Sequence, residues 1–261
     1  LKRTSLAKCF TRILNILEEK YQSPIDTEFT IDVINPNSMQ PKIRISLLQC
    51  RPQSHLKESE ARLPKNLLDE DIIFSTYRMA PEGRISDIRY VLFVKPEAYH
   101  KMPTEAEKSE LGRSIGKLND ALKEETFICV GPGRWGTSNP DLGVKIGYAD
   151  IYHTRALIEL TGEGIGTAPE ASFGTHFFQD LVESNIYPLA IYLDDADVIF
   201  NRDFFYHTPN RLLDFLPEGS TLVDVLRLIA VADYQSDMHM ELIMDDDVGR
   251  SVAFLDRKSV V

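Results

Sequence analysis

Three residue types near the start of the chain have the spacing to do chemistry: a carboxylate from Asp26, Glu28 or Asp32, the amide of Gln49 and the guanidinium of Arg51. A carboxylate is a hard oxygen ligand for a divalent cation, an amide adds another oxygen, and a guanidinium matches phosphate oxygens in a bidentate fork. Together they form a kit for a metal-bound phosphate. The carboxylates lie in Ile25-Asp26-Thr27-Glu28-Phe29-Thr30-Ile31-Asp32, and the other two groups in Ile43-Arg44-Ile45-Ser46-Leu47-Leu48-Gln49-Cys50-Arg51-Pro52. These alternating, β-branched-rich runs flank the turn-prone Asn35-Pro36-Asn37-Ser38, so they predict a β-hairpin. The period of two puts Asp26, Glu28, Thr30 and Asp32 on one strand face, and gives Gln49 and Arg51 a common face. On spacing alone, an ordinary hairpin with a solvated acidic face accounts for the same pattern.

The element that leads into the hairpin is a helix predicted over 5–21. Leu6, Phe10, Ile13, Leu14 and Leu17 recur at three- and four-residue spacing, Ser5 is a plausible N-cap, and Ser23-Pro24 ends it. This helix and the strands Ile25-Asp26-Thr27-Glu28-Phe29 and Leu47-Leu48-Gln49-Cys50-Arg51-Pro52 resemble the end of the ATP-grasp nucleotide-binding domain of the phosphoenolpyruvate synthase and pyruvate phosphate dikinase family. There the last strands read roughly D-I-E-[FW]-A followed by L-x-x-L-Q-x-R-P. The resemblance covers about the first 55 residues. It implies that Glu28 is the metal-ligating glutamate, Gln49 a metal- or phosphate-proximal residue and Arg51 the arginine closing the motif. It also implies ATP and Mg as cofactors of the intact protein.

Composition bounds the rest. The chain has 261 residues, 43% of them hydrophobic, and a net charge of −11, which argues against a nucleic-acid surface or a basic membrane patch. Cys9, Cys50 and Cys129 lack zinc-type spacing and sit in apolar contexts, so buried reduced thiols in a cytoplasmic protein are expected. No run is apolar and long enough to span a bilayer. Leu1 opens directly into an amphipathic helix, which reads as a piece of a longer polypeptide whose other domains are its partners; oligomerisation is left open.

Residues 56–70 read as a polar linker between a unit over 1–55 and a second over 71–261. In the second, Asp71 to Arg78 and Ile85 to Val94 read as two strands around the turn signal Ala80-Pro81-Glu82-Gly83. Thr104-Glu105-Ala106-Glu107 is a capping-box start for a helix to about Glu124. Phe127 to Val130 reads as a strand, 155–160 as a strand with a helix as the alternative, Thr175 to Ser184 as a helix, and Tyr187 to Leu193 as a buried strand. Met238 to Met244 and Ser251 to Leu255 form a hairpin across Asp245-Asp246-Asp247-Val248-Gly249. The overall expectation is α+β: a partial ATP-grasp end, helix plus hairpin, followed by a mixed-sheet domain.

The most unusual local composition is Gly131-Pro132-Gly133-Arg134-Trp135-Gly136. Glycines at a strand end let backbone approach a ligand, and Arg134 could bind an anion. The plainer reading is a structural turn with Trp135 packed over it. With Phe173-Gly174-Thr175-His176-Phe177-Phe178-Gln179 it resembles a segment appended to phosphoenolpyruvate synthase-like proteins, which brings no established activity. His176 is not expected to carry a phosphoryl group, because the pattern around acceptor histidines is absent. Asp194, Asp195 and Asp197, and the triplet 245–247, read as solvated turns. The histidines lack zinc spacing, and no hydrolase nucleophile elbow occurs. Two expectations result: a phosphotransferase fragment inactive by itself, or a non-catalytic binding or assembly module over 71–261 that takes a small anionic or phosphorylated ligand beside Arg134, Trp135 and His176.

Overall fold

A single helix comes first among the described residues. The computed structural model describes residues 6–22, 25–35, 38, 41–52, 61–78, 82–137, 139–162, 171–172 and 176–257. It divides into two compact units, Leu1–His55 and Leu56–Val261. In the first, α1 (Leu6–Tyr21) precedes the antiparallel pair β1 (Ile25–Ile34) and β2 (Lys42–Pro52). The expected apolar stripe of α1 meets the hairpin through Phe10, whose ring centroid lies 4.1 Å from that of Phe29. None of the described residues from 6 to 52 is fully buried. The predicted N-cap Ser5, the stop at Ser23-Pro24 and the turn residues Pro36 and Asn37 lie outside the described residues.

The second unit is built from two sheets. A four-stranded antiparallel sheet has the order β3 (Ile72–Thr76), β11 (Arg250–Arg257), β10 (Met238–Asp245), β4 (Gly83–Ile88). A five-stranded mixed sheet has the order β8 (Tyr187–Tyr192), β7 (Ala156–Thr161), β6 (Phe127–Pro132), β5 (Tyr90–Val94), β9 (Leu226–Ala230), with β5 to β8 parallel and β9 antiparallel. Helices α2 (Pro96–Tyr99) and α3 (Glu105–Ala121) connect β5 to β6, and α4 (His176–Glu183) connects β7 to β8. Short helices α5 (Arg202–His207), α6 (Leu212–Phe215) and α7 (Val231–Tyr234) complete the chain. The α+β class therefore holds, with a mixed sheet as expected.

Alternation explains the layering. Val91 and Phe93 of β5 pack with Ile73, Ile85, Met240, Leu242 and Ala253 of the four-stranded sheet, whereas Leu92 and Val94 pack with Leu111, Ile115 and Leu118 of α3. A strand buried on both faces has to be apolar throughout, which is why β5 reads Tyr-Val-Leu-Phe-Val with no polar phase. The capping box on α3 is formed as predicted: Glu107 N donates to Thr104 Oγ1 at 3.2 Å, and Thr104 N donates to Glu107 Oε2 at 3.2 Å.

The run Ile85 to Val94 is corrected. It is two strands in different sheets, β4 ending at Ile88 and β5 beginning at Tyr90, and just before the break Asp87 takes φ 54° at the irregularity in the β4–β10 pairing and its N–H donates to Glu241. Glu241 is 2% exposed and also accepts from Arg84 Nε at 2.8 Å, which fixes the chain as it crosses between layers. Nor do β3 and β4 pair with each other, since the predicted β10–β11 hairpin lies between them. Residues 61–70, expected as linker, join the packing of this unit: Ala61 is buried with Ile72, Ile243, Val252 and Phe254, and Leu63 N donates to Asp245 Oδ2 at 3.1 Å. Of the cysteines only Cys129 is buried, while Cys9 and Cys50 are half-buried, and all three are outside disulfides. Burial pushes the Cys129 thiol up to about 12, so it is inert.

Candidate functional site

In the hairpin, Glu28 stands directly opposite Gln49, and Asp26 opposite Arg51. This placement needs a device that alternation alone does not supply. On β2 the apolar Ile43, Ile45 and Leu47 and the polar Gln49 and Arg51 are all odd-numbered, so a regular strand would put them on one face. The register shifts between Glu28 and Phe29: Gln49 faces Glu28, Leu47 faces Phe29, and Leu48 is the extra residue. That bulge turns Gln49 to the face of Glu28 while Leu47 stays across from Phe29 and α1. Bulges re-aim side chains in this way beside functional sites. Glu28 is exposed and Gln49 half-buried, and Arg51 is described through its backbone alone.

Arg134 lies in the second unit, at the carboxyl edge of the five-stranded sheet. Because β6, β7 and β8 are parallel, the segments leaving them gather at one edge, the place where open α/β sheets bind ligands. The glycine-rich loop there is not an anion cradle. Gly133 N donates to Leu160 O at 2.9 Å, Arg134 N to Leu142 O at 2.8 Å, Trp135 N to Glu159 Oε1 at 3.0 Å, and Gly136 N to Val144 O at 3.1 Å. All four amides are taken up within the chain. The glycines serve close approach of protein to protein: a Cβ on Gly133, at φ 59°, would stand 2.1 Å from Leu142 O. Trp135 is 1% exposed and packs over Gly131, so it does not line an open pocket.

The two motifs do meet. A Cβ on Gly136 would lie 2.4 Å from the Phe177 ring, so the first turn of α4 sits on the loop. Phe177 is held in turn by Tyr148, with centroids 5.4 Å apart, and Tyr148 Oη donates to Asp180 at 2.7 Å. The backbone of His176 begins α4, and its side chain lies outside the description. Of the acidic turns, Asp195 is paired with Arg78 (Nε to Oδ2, 3.0 Å), whose guanidinium lies 4.7 Å from the Tyr192 ring centroid. Asp245, Asp246 and Asp247 surround Arg62. Among the described residues no group of three or more His, Cys, Asp or Glu could hold a metal.

The residue that sequence reasoning missed is Glu159. It is fully buried in β7 and accepts three hydrogen bonds: from Trp135 N, from Ser172 N at 2.6 Å to Oε2, and from Ser172 Oγ at 2.8 Å to Oε1. Burial raises its carboxyl from 4.5 to about 7, against the Ser172 and Trp135 hydrogen bonds and the charge of Arg134, which pull it down. The only sequence signal was a lone acid in the run Ala156-Leu157-Ile158-Glu159-Leu160.

Residues 4–71 match the family described as pyruvate phosphate dikinase, AMP/ATP-binding domain. The match takes in α1 and the whole hairpin. The match bears out the resemblance to phosphoenolpyruvate synthase and pyruvate phosphate dikinase, and it ends at residue 71, just ahead of β3. No curated protein and no solved structure matches the chain. No helix among the described residues is long and apolar enough to cross a membrane.

Proposed function

We propose that residues 1–55 are the closing part of the ATP site of a pyruvate phosphate dikinase-like phosphotransferase of the ATP-grasp type. In this reading the remaining nucleotide contacts come from other domains of a longer cytoplasmic polypeptide. The observation that carries it is the register setting Glu28 opposite Gln49 within a segment of an ATP-binding family. Mg suits such a place: it is held by one or two carboxylate-type oxygens, with water and phosphate oxygens completing its shell. Glu28 would ligate it and Gln49 support it. A bound Mg would neutralise charge on the transferring phosphoryl group. Arg51, two residues beyond Gln49, would take phosphate oxygens or hold the strand end. The acceptor class is a pyruvate-like acid. Because one wall of the cleft is all this chain supplies, it does not phosphorylate pyruvate by itself.

The test is nuclear magnetic resonance with Mg–ATP added to the whole chain. Shifts should localise to Glu28, Gln49 and Arg51 and shrink several-fold in Glu28→Gln, and no phosphopyruvate should form. Shifts absent from β1 and β2, or turnover of pyruvate by this chain alone, would sink the reading. A second reading has one observation in its favour, the delivery of Arg134 to the carboxyl edge of the parallel strands. There the second unit is a non-catalytic module for a small phosphorylated acid. Phosphoenolpyruvate should then change Trp135 fluorescence in the native chain and leave Arg134→Ala unaffected.

A further inference from the structure

One charged residue stands where the fold calls for an apolar one. The strand β9 is covered on both faces, with Leu226 and Leu228 in the α3 layer and Ile229 in the core between the sheets. A strand buried on both sides is expected to be apolar throughout, yet this one reads Leu-Arg-Leu-Ile-Ala. Arg227 shares the phase of Ile229 and pairs across the ladder with Phe93, so its side chain leaves β9 on the inter-sheet side. We propose that Arg227 is the anchor of an anion site at the carboxyl end of β5, taking the carboxylate or phosphate group of a small acid. The site lies two strands from the end of β6 that delivers Arg134, and it depends on neither reading above.

Among the described residues no carboxylate pairs with Arg227. Arg62, Arg78, Arg84, Arg89 and Arg211 are all more exposed, and each pairs with an aspartate or glutamate. Arg227 is half-buried and makes one bond, from Nη2 to Thr208 O where α5 closes. That carbonyl steadies the guanidinium, but a backbone dipole cancels only part of a full charge. Nε is sealed from solvent with no hydrogen-bond partner, whereas Nη1 is neither sealed nor bonded. Burial lowers the pKa of Arg227, and no neighbouring charge offsets it. A cation withdrawn from water without a counter-charge destabilises the fold, and an anion that reaches it removes that cost. Nη1 is the open approach.

The surroundings suit a small anion. The ladder runs one step past Phe93, where Lys95 N donates to Val225 O at 2.9 Å. Lys95 is thus in phase with Phe93 and diagonal to Arg227. It is half-buried and has no ion pair among the described residues, so it sets a second cation at the rim. The one acid of α2, Glu97, is engaged: it accepts from Tyr206 Oη at 3.0 Å. The parallel strand β5 ends here, and the carboxyl ends of such strands are where open sheets take ligands.

Thermal melts of the whole chain test the site, with inorganic phosphate or acetate replacing chloride at fixed ionic strength. One anion or both should raise the melting temperature of the native chain, and which does so tells a phosphate site from a carboxylate site. Arg227→Met removes an uncompensated charge, so in chloride it should melt no lower than the native chain. It should gain nothing from either anion. Lys95→Ala should need several-fold more anion for the same rise, and Arg134→Ala should keep the rise in full. A native chain indifferent to both anions overturns the proposal, as does a rise that survives in Arg227→Met. A rise lost in Arg134→Ala and kept in Arg227→Met overturns it in favour of the second reading. An Arg227→Met chain that folds but melts well below the native one in chloride marks a strut for Thr208, and overturns it too. Should Arg227→Met fail to fold, nuclear magnetic resonance of the native chain decides. The Arg227 Nε–H signal must shift and saturate as phosphate or acetate is added, and a signal unmoved by both overturns the site.

Discussion

Water withheld from Glu159 raises the pH at which its carboxyl gives up a proton. The rise of its carboxyl from 4.5 to about 7 corresponds to roughly 3 kcal/mol of differential interaction between the two protonation states. Since the folded value lies above the unfolded one, folding takes up a proton between them. This group's contribution is most favourable below the unfolded value and diminishes as pH rises to the folded one. That is opposite to the usual salt-bridged carboxylate. Thermal melts of the native chain and of Glu159→Gln should diverge accordingly, the native chain losing stability relative to the variant from pH 5 to 8. A parallel pair of curves would rule this out. None of it was legible in advance. The partners of Glu159 lie 24 and 13 residues away, and a lone acid in an apolar strand declares no role until they are known.

At the scale of the element, the hairpin was legible and its bulge was not. Period two correctly put Gln49 and Arg51 in one phase, and the residues Glu28 and Gln49 were brought opposite each other. What the alternation hid was that Ile43, Ile45 and Leu47 share that phase, a conflict resolved by one extra residue. This makes deletions unequal. Removing Leu48 erases the bulge and leaves every other pairing intact, so the Mg–ATP shifts at Glu28 should persist. Removing Cys50 sets Gln49 opposite Thr27 and turns it to the other face, so those shifts should vanish. Equal responses from the two deletions would refute the role of the bulge. The stretch from Ile85 to Val94 failed for a related reason: a change of sheet leaves no mark on hydrophobic pattern when both halves are apolar. The mark was Asp87, a left-handed residue whose amide is held by Glu241 154 positions away.

At the scale of the molecule, the two units differ in how they are held. The first has no fully buried side chain among its described residues, whereas the second buries both faces of its five-stranded sheet. Composition foretold a sizeable core without saying that the second unit would own it. The strand β11 lies between β3 and β10 and buries Val252, Ala253, Phe254 and Leu255. Burial of one large apolar side chain is worth about 1.5–3 kcal/mol, and net stability is only about 5–15 kcal/mol. A chain cut after Gly249 should therefore lose the second unit altogether, with Trp135 emission shifted to that of a solvated indole. Retention of a cooperative melt by the truncated protein would contradict the topology. The hairpin β10–β11 was predictable from its local turn. Its insertion between β3 and β4 was not, because no local signal encodes pairing between Phe74 and Ala253.

That insertion also sets a schedule for synthesis. When β3 and β4 leave the ribosome, the strands that will pair with them are still untranslated, and both wait with open edges while the intervening chain is made. Only when residues 238–257 emerge can the four-stranded sheet close, and with it the inner face of the five-stranded sheet. A nascent chain stalled before that point displays unpaired apolar strands. It is the intermediate on which folding helpers would have to act.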